Sequence, residues 1–291
     1  MISTKLSTAM RQRTRMTSNY RAATAILNET ELHYETRGDG PPILFISGAF
    51  GDAGGWEAVS ESLSETNTVI TYDRRGNSRS PAPDGWTATS LHQQAGDAAA
   101  LLEFLDVGPA AVWANSLGGA IGLNLALQRP DLVRLAVLHE PFLAFLLEDP
   151  TVATGPMLEA IAPFLAAGDY RGGAEAMLRL VAGSDVYDAI APALRDRMLG
   201  NAATLFNTEF PGLSELTAET FQPQVPLTIA IGAESPSYLT AGAHRLADLL
   251  HIEVHRLAGA HVPHVTHPDI VVALCRQLLA GAVLPGPTSG R

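Results

Sequence analysis

Cysteine and long apolar runs are the scarcest features of this sequence. The 291 residues include one cysteine, Cys275, which excludes an intramolecular disulfide bond and favours a cytoplasmic protein. Cys275 lies in an apolar segment with helical spacing, so we expect a buried core residue there. No segment reaches the roughly 18 consecutive apolar residues that a membrane-spanning helix needs. The sequence therefore predicts no membrane association.

Basic residues are also few. Lys and Arg total 19 against 30 Asp and Glu, and the formal net charge is -11. Because an acidic surface repels phosphate groups, nucleic acids and anionic membranes are not expected partners. The exception is residues 1–22, which hold five basic residues and no acidic residue, and which lack the apolar core of a secretory signal. We expect these residues to form a disordered leader.

Apolar segments alternate with helical patterns over residues 23–141 and again over 223–281. The continuous apolar run at 43–46 and the mostly apolar segments at 68–72, 132–138 and 227–231 are typical of strands buried on both faces of a parallel sheet. The alternation of strands and helices predicts the α/β class, with a mostly parallel, doubly wound sheet.

The residues between these two parts, 142–222, contain no convincing strand. Patterns at 157–167, 173–182 and 189–199 predict helices rich in Ala and Leu, which Gly and Pro interrupt. An insertion of this kind predicts a helical cap over a site at the edge of the sheet. Residues 282–291 are rich in Gly and Pro and are expected to form a flexible tail.

Ser116 lies between an apolar strand and a helix-like segment, in the order Ala114-Asn115-Ser116-Leu117-Gly118. Small residues two before and two after a serine let strand and helix backbones approach around a strained turn, so this pattern predicts a nucleophile elbow. Loops at 47–51, 139–141 and 258–261 also follow predicted strands. The carboxyl ends of parallel strands meet at one edge, where we expect these loops to assemble with the elbow.

Four features, in this order, resemble the α/β-hydrolase superfamily over residues 24–280. They are a Gly-rich loop that ends at Trp56, Asp73-x-Arg75-Gly76 with Ser80, the elbow, and the loop that starts Gly259-Ala260-His261. Two positions depart from the common pattern, since Ser47 stands where the family often has His and Ser78 replaces a Gly. We expect 73–80 to be an architectural charged turn with internal hydrogen bonds.

The resemblance implies that Ser116 is the nucleophile and that His261 is the base that accepts its proton. It also implies an oxyanion hole formed by the backbone N–H groups of Ala49 and Leu117. The spacing of His261, His264 and His267 would also suit a metal site. Since the family pattern accounts for this loop without a metal, we expect no metal and no cofactor.

The acid of the triad is not at its usual place in the sequence. Ser235 occupies the position after strand 227–231 where the family usually has Asp, and Glu234 is one residue away. Some α/β hydrolases, including zearalenone-type lactone hydrolases, place the acid one strand earlier, in a stretch similar to Leu138-His139-Glu140-Pro141-Phe142. We therefore expect Glu140 to be the acid, with Glu234 as the alternative. A hinge of the cap is the other interpretation of Glu140.

These features predict a cofactor-free serine hydrolase that cleaves an ester or lactone of an apolar small molecule through an acyl-enzyme, as a monomer or homodimer. Two alternatives stay open. The pair Asn115-Ser116 is similar to the elbow of hydrolases that cleave C–C bonds of β-diketone-like compounds. The displaced acid would also suit a ligand-binding relative without catalytic activity.

Overall fold

The computed structural model describes residues 19–213 and 222–281. Within these ranges eight strands form one sheet: β1 Arg21–Leu27, β2 Thr30–Arg37, β3 Pro42–Ile46, β4 Thr68–Tyr72, β5 Ala110–Asn115, β6 Val133–His139, β7 Leu227–Gly232 and β8 Val254–Leu257. Their spatial order is β1-β2-β4-β3-β5-β6-β7-β8. β3 to β8 are parallel to one another, and β2 pairs antiparallel with β1 and β4.

Helices cover the sheet and fill the segment between β6 and β7. They are α1 Glu57–Leu63, α2 Leu91–Leu105, α3 Leu117–Gln128, α4 Thr151–Ala166, α5 Tyr170–Ala182, α6 Ser184–Ala189, α7 Pro192–Gly200, α8 Ala202–Thr204, α9 Ser237–Leu250, α10 Pro263–Thr266 and α11 Pro268–Leu279. A π-helical turn, Leu205–Glu209, follows α8.

Strand β3 shows how one apolar run serves two hydrophobic cores. Leu44 and Ile46 pack in the core with α2, α3 and α9, whereas Ile43 and Phe45 pack in the core with α1 and α11. Alternate residues of a strand point to opposite faces, so a continuous apolar run fills both layers. The predicted mostly parallel, doubly wound α/β sheet is confirmed.

The carboxyl ends of the central strands lie at the same level. In the sheet register, Ile46 pairs with Ala114, Asn115 with His139, and His139 with Ala230. The sheet order reverses at β3, which has β4 on one side and β5 on the other. A crevice forms beyond such a reversal, and the loops after β3, β5 and β6 meet there.

The helices of residues 142–213 depart from their predicted bounds at prolines. α4 begins at Thr151 and contains Pro156 and Pro163. Burial of apolar side chains on this helix offsets the hydrogen bonds that the prolines remove. The helix predicted at 189–199 begins three residues later, as α7, because Pro192 begins the helix and disfavours a helical conformation at Ala191. A separate short helix, α6, ends at Ala189. Residues 214–221 lie outside the described residues, and the cap over 142–222 stays a prediction.

The predicted leader, residues 1–22, extends too far. β1 begins at Arg21, which pairs with Thr36 of β2 and so gains backbone hydrogen-bond partners. Residues 1–18 and the predicted tail, 282–291, lie outside the described residues. Cys275 is buried in α11, as predicted. In the part of the chain that the structure describes, no helix combines the length and hydrophobicity needed to span a membrane.

Candidate active site

Ser116 joins β5 to α3 with backbone angles of φ 54° and ψ −124°, which residues with a side chain rarely adopt. Close packing holds this turn, since a side chain at Gly118 would come within 2.4 Å of the carbonyl oxygen of Ile46. Ala114 occupies a position where elbows more often have glycine. The residue on α3 that faces it, Gly122, is a glycine. A methyl group added at Gly122 would lie 2.7 Å from the Ala114 Cβ. The small residues around the serine are therefore needed for the close approach of strand and helix.

Glu140 and His261 form a buried pair beside this turn. Glu140 Oε2 lies 2.5 Å from His261 Nδ1, and Glu140 Oε1 accepts a hydrogen bond of 2.7 Å from the Gly232 N–H. Glu140 is 1% exposed and His261 is 5% exposed, so water competes little for these contacts. The structure thus brings the predicted acid after β6 together with the predicted base after β8.

The ionisation of Glu140 reflects two opposing effects. Burial disfavours the carboxylate and would raise its pKa, but the hydrogen bond and charge of His261 outweigh it, and the pKa falls to about 2. Glu140 is therefore ionised at neutral pH. A carboxylate only accepts, so its partner Nδ1 carries the proton, and the other ring nitrogen, Nε2, is the one able to act as a base.

The loop after β3 packs directly on the elbow. A side chain at Gly48 would come within 3.0 Å of the Ser116 Cβ, so a larger residue there would crowd the serine. Asn115 Oδ1 accepts a hydrogen bond of 3.2 Å from the Gly48 N–H, which ties this loop to the end of β5. Ala49 follows in the loop, and Leu117 is the first residue of α3, where a backbone N–H has no intrahelical acceptor. The two predicted oxyanion donors thus belong to the two segments that meet at Ser116.

A cavity of about 90 Å³ contains all of these groups. Ser116, His261, Glu140, Ala49 and Leu117 line it. The rest of its wall is mainly apolar and comes largely from helices α4 to α7, with the side chains of Met157, Met177, Leu178, Val181, Leu194 and Met198. Few polar groups within an apolar wall are typical of a site for a small organic molecule.

Residues 41–178 match the family described as alpha/beta hydrolase fold. The match begins just before β3 and includes the elbow, β6 and much of the helical segment. The chain belongs to the α/β-hydrolase superfamily. The fold agrees with that of the enol-lactonase from Burkholderia xenovorans LB400, with a TM-score of 0.73 at 20% identity over 89% of this chain and 100% of that enzyme.

Two relatives are similar to this α/β hydrolase over most of its length. The uncharacterized hydrolase YraK of Bacillus subtilis (strain 168) is 29% identical over 244 residues, which cover 81% of this chain and 88% of YraK. The zearalenone hydrolase of Bionectria ochroleuca is 26% identical over 243 residues, which cover 82% of this chain and 89% of that protein. Together these similarities support a hydrolase of the α/β-hydrolase superfamily.

The alternative acid, Glu234, lies elsewhere in the hydrolase. Its side chain is exposed, and its backbone N–H donates to the carbonyl of Gly259 at 3.0 Å. Since Glu140 already lies against His261 Nδ1, that nitrogen is not available to Glu234. The structure therefore pairs the histidine with Glu140 and leaves Glu234 facing solvent.

The other two histidines of the last loop have different neighbours. His264 stacks on Trp56, with ring centroids 4.2 Å apart and an angle of 24° between the rings. His267 Nδ1 lies 2.9 Å from Thr266 Oγ1. Among residues 19–213 and 222–281, no group of three or more His, Cys, Asp or Glu side chains is arranged to hold a metal ion.

The charged turn at 73–80 has internal hydrogen bonds. Asp73 Oδ2 lies 2.7 Å from Arg79 Nε, and the Ser80 hydroxyl donates to the Asp73 carbonyl oxygen at 2.7 Å. Asp73 Oδ1 also accepts from the Ala53 N–H at 2.9 Å, which links the turn to the loop after β3. This turn therefore supports the site without lining the cavity.

Polar contacts between the helical segment and the loop after β3 were not predicted. Arg197 donates to the Asp52 carboxylate at 2.5 Å, and Asn201 Nδ2 donates to the Phe50 carbonyl oxygen at 2.8 Å. Glu209 contacts Arg74, which in turn donates to the Gly48 carbonyl oxygen at 3.2 Å. No local pattern connects residues so far apart in the sequence, so the fold alone reveals these contacts.

Proposed function

We propose that this protein is a cofactor-free serine hydrolase that cleaves an ester or lactone of an apolar small molecule. The observation that carries the proposal is the buried Glu140–His261 pair, 2.5 Å between Oε2 and Nδ1, in the same cavity as Ser116 on its strained turn. A carboxylate, an imidazole and an activated serine are the parts that nucleophilic acyl transfer requires.

In the proposed reaction, Ser116 Oγ attacks the substrate carbonyl carbon while His261 Nε2 accepts the hydroxyl proton. Glu140 keeps Nδ1 protonated and stabilises the imidazolium ion. The N–H groups of Ala49 and Leu117 donate to the oxyanion of the tetrahedral intermediate. His261 then gives its proton to the leaving alkoxide, and an acyl-Ser116 ester remains. Water that loses a proton to His261 hydrolyses this ester and regenerates the serine.

The wall of the cavity supports an apolar substrate. Methionine, leucine and valine side chains from α4 to α7 face the reacting groups, and methionine adapts its shape to different apolar ligands. Similarity to a zearalenone hydrolase over most of the chain supports a lactone as one substrate class. Hydrolysis of a C–C bond in a β-diketone-like compound is the alternative that substrate assays have to separate.

Labelling with a fluorophosphonate probe tests the nucleophile, because the probe phosphonylates a serine only where a base activates it. We expect the wild type and Ser235→Ala to be labelled and Ser116→Ala to remain unlabelled. Ser235 is the matched control, since it also lies near the carboxyl edge of the sheet, in the loop after β7. An unlabelled wild type would contradict the proposal.

A substrate panel then tests the bond that is cleaved. We expect p-nitrophenyl esters of short apolar acids and apolar lactones to be hydrolysed, with Ser116→Ala inactive on both. Hydrolysis of β-diketone-like compounds in preference to every ester and lactone would favour the C–C hydrolase instead.

A further inference from the structure

We infer that Arg74, held by Glu209 of the helical segment, is a positioning residue that sets the orientation of the oxyanion donor at Ala49. The inference rests on the proposed function, because it concerns the geometry of that same oxyanion hole. Gly48 and Ala49 share one peptide group. The Gly48 carbonyl and the Ala49 N–H are the two ends of one planar trans peptide, so they point in opposite directions.

Two donors fix the carbonyl end of this peptide. Arg74 Nη2 donates to the Gly48 carbonyl oxygen at 3.2 Å, and the Gly51 N–H donates to the same oxygen at 3.3 Å. The guanidinium group is charged, and hydrogen bonds to charged donors are roughly twice as strong as neutral ones. Because the carbonyl is held, the Ala49 N–H is held in the opposite direction, and Ala49 is one of the residues that line the cavity.

A charged donor on the Gly48 carbonyl oxygen also strengthens the Ala49 N–H as a hydrogen-bond donor. Hydrogen bonds in series polarise one another, most of all where water is excluded. Arg74 is 1% exposed, so water competes little for its hydrogen bond to the Gly48 carbonyl oxygen. The Ala49 N–H is therefore both oriented and made more acidic by a side chain that does not line the cavity.

Glu209 determines where the guanidinium group points. Its carboxylate is 0% exposed and contacts Arg74 Nη1, and it also accepts from Asn77 Nδ2 at 3.0 Å and from Gln94 Nε2 at 3.2 Å. Glu209 is the last residue of the π-helical turn Leu205–Glu209, and such turns are frequent at functional sites. The helical segment thus lines the cavity and also contacts the oxyanion loop indirectly, through Arg74.

The loop needs such support because it contains a strained residue. Phe50 has φ 63°, a left-handed conformation that a bulky side chain rarely adopts, and it is buried. Asn201 of the helical segment donates to the Phe50 carbonyl oxygen at 2.8 Å. Strained loops persist only when surrounding contacts determine them, so loss of Arg74 frees the Gly48–Ala49 peptide to rotate.

The matched variants are Arg74→Lys and Arg75→Lys. Lysine keeps the positive charge beside Glu209 but lacks the planar fork that reaches two partners at once. Arg75 is the control, since it forms an equally buried pair with Asp97, at 2.6 Å between Nη2 and Oδ1, and has no part in the loop after β3.

The rate of fluorophosphonate labelling of Ser116 and kcat for p-nitrophenyl butyrate measure the effect. We expect Arg74→Lys to lower both by about 10- to 100-fold with KM little changed, because a misplaced donor costs less than the roughly 100- to 1,000-fold that follows complete loss of an oxyanion donor. Arg75→Lys is expected to stay within about twofold of the wild type. Equal rates in the two variants, whether both normal or both reduced, would overturn the inference and leave the proposed function intact.

A binding measurement separates positioning from a general structural role. Hexyl trifluoromethyl ketone forms a tetrahedral adduct with an activated serine, whereas the corresponding alcohol occupies the cavity without reacting. We expect Arg74→Lys to weaken the ketone in proportion to its loss of kcat/KM and to leave the alcohol unchanged. Equal weakening of both ligands would overturn the inference. An unlabelled wild type that also fails to bind the ketone would overturn the proposed function and this inference with it.

Should Arg74→Lys fail to fold, the double variant Arg74→Met/Glu209→Met removes both buried charges together, and Arg75→Met/Asp97→Met is its control. Replacement of a whole buried ion pair by apolar residues is often tolerated, unlike removal of one partner. The same selective loss of labelling rate is expected in the first double variant. An unchanged rate there would overturn the inference.

Discussion

Glu140 and Gly232 are joined across the ends of β6 and β7 by a hydrogen bond of 2.7 Å from the Gly232 N–H to Glu140 Oε1. The carboxylate therefore lies over the end of β7, although its own residue follows β6. This is the strand after which the superfamily usually carries its aspartate. If Glu140 is the acid, as we propose, its carboxylate lies over the usual strand and only the strand that supplies it differs.

Substitution Glu140→Gln is expected to lower kcat by roughly 10⁴-fold, as loss of a triad carboxylate does elsewhere. Glutamine can still accept from the Gly232 N–H, but its amide nitrogen donates toward His261 Nδ1. The imidazole must then carry its proton on Nε2, where it cannot act as a base. Steady-state kinetics with p-nitrophenyl butyrate measure the loss, and circular dichroism verifies the fold. Glu234→Gln is the control, and a large loss in that variant with little in Glu140→Gln would refute the assignment.

The backbone of Ser116 is expected to store strain that a glycine would not. At φ 54° and ψ −124° a residue with a Cβ is disfavoured, whereas glycine adopts these angles freely. Both Ser116→Gly and Ser116→Ala should be inactive. We expect the free energy of unfolding of Ser116→Gly to be about 1 kcal/mol higher than that of Ser116→Ala. This figure allows for the greater entropy of glycine in the unfolded chain. Urea denaturation of the two variants side by side measures the difference, and equal stabilities would show that the turn is unstrained.

His139 is expected to make the folded state sensitive to mild acid. The residue is fully buried, and burial, together with the charge of His261, outweighs the charge of Glu140 and lowers its pKa to about 4 from the usual 6.5. Between these two pH values the unfolded chain binds a proton at His139 and the folded protein does not. The contribution of the neutral His139 to the free energy of unfolding is therefore complete above about pH 6.5 and is lost as the pH falls toward 4. Between about pH 7 and pH 5 this costs about 2 kcal/mol of unfolding free energy.

The variant His139→Phe tests this pH dependence. It keeps an aromatic ring beside Trp113, which lies 6.4 Å from the His139 ring centroid, and removes the titrating group. Urea denaturation as a function of pH should show a flatter profile for His139→Phe than for the wild type above about pH 5, where Glu140 stays ionised. Substitution of the exposed His92 by Gln should leave the profile of the wild type unchanged. Parallel profiles for wild type and His139→Phe would contradict the prediction.

Ala114 and Gly122 are expected to be coupled in stability. A methyl group at Gly122 would lie 2.7 Å from the Ala114 Cβ, so Gly122→Ala should destabilise the fold by about 1 to 3 kcal/mol through overpacking. Ala114→Gly removes the opposing methyl group, and the double variant should recover at least about 1 kcal/mol of that loss. A double-mutant cycle measured by urea denaturation gives the coupling, and additive effects would show that the two residues do not compete for space.

Much of this architecture was predictable from local patterns. The apolar runs specified the central strands, and the small residues around Ser116 indicated the elbow. The prediction that Glu140 lies beside the base depended on three facts together: it follows a buried strand, Ser235 cannot supply a charge, and the stretch around Glu140 resembles that of zearalenone-type lactone hydrolases. The pair of Glu140 and His261 is now seen in the structure, while its catalytic role stays a prediction.

The remaining contacts could not be predicted for a physical reason. Arg197 and Asn201 reach the loop after β3, and Glu209 reaches Arg74, only after the helical segment has folded back over the sheet. Each is a polar residue in or next to a helix, and such residues are usually solvated, so their type indicates nothing about burial. The helix bounds near Pro156 and Pro192 were missed because tertiary packing decides whether a proline is accommodated or ends a helix.

The groups of the proposed mechanism follow four strands, which are not anchored equally well. Ala49, Ser116 and Glu140 follow strands that pair on both sides, whereas His261 follows β8, which pairs with β7 alone at the margin of the sheet. Marginal strands open first in native-state fluctuations, and hydrogen exchange should be fastest there among the strands that carry the site. Detachment of β8 would remove the base while the other three groups keep their places. Turnover is therefore expected to fail on warming before far-ultraviolet circular dichroism registers any change.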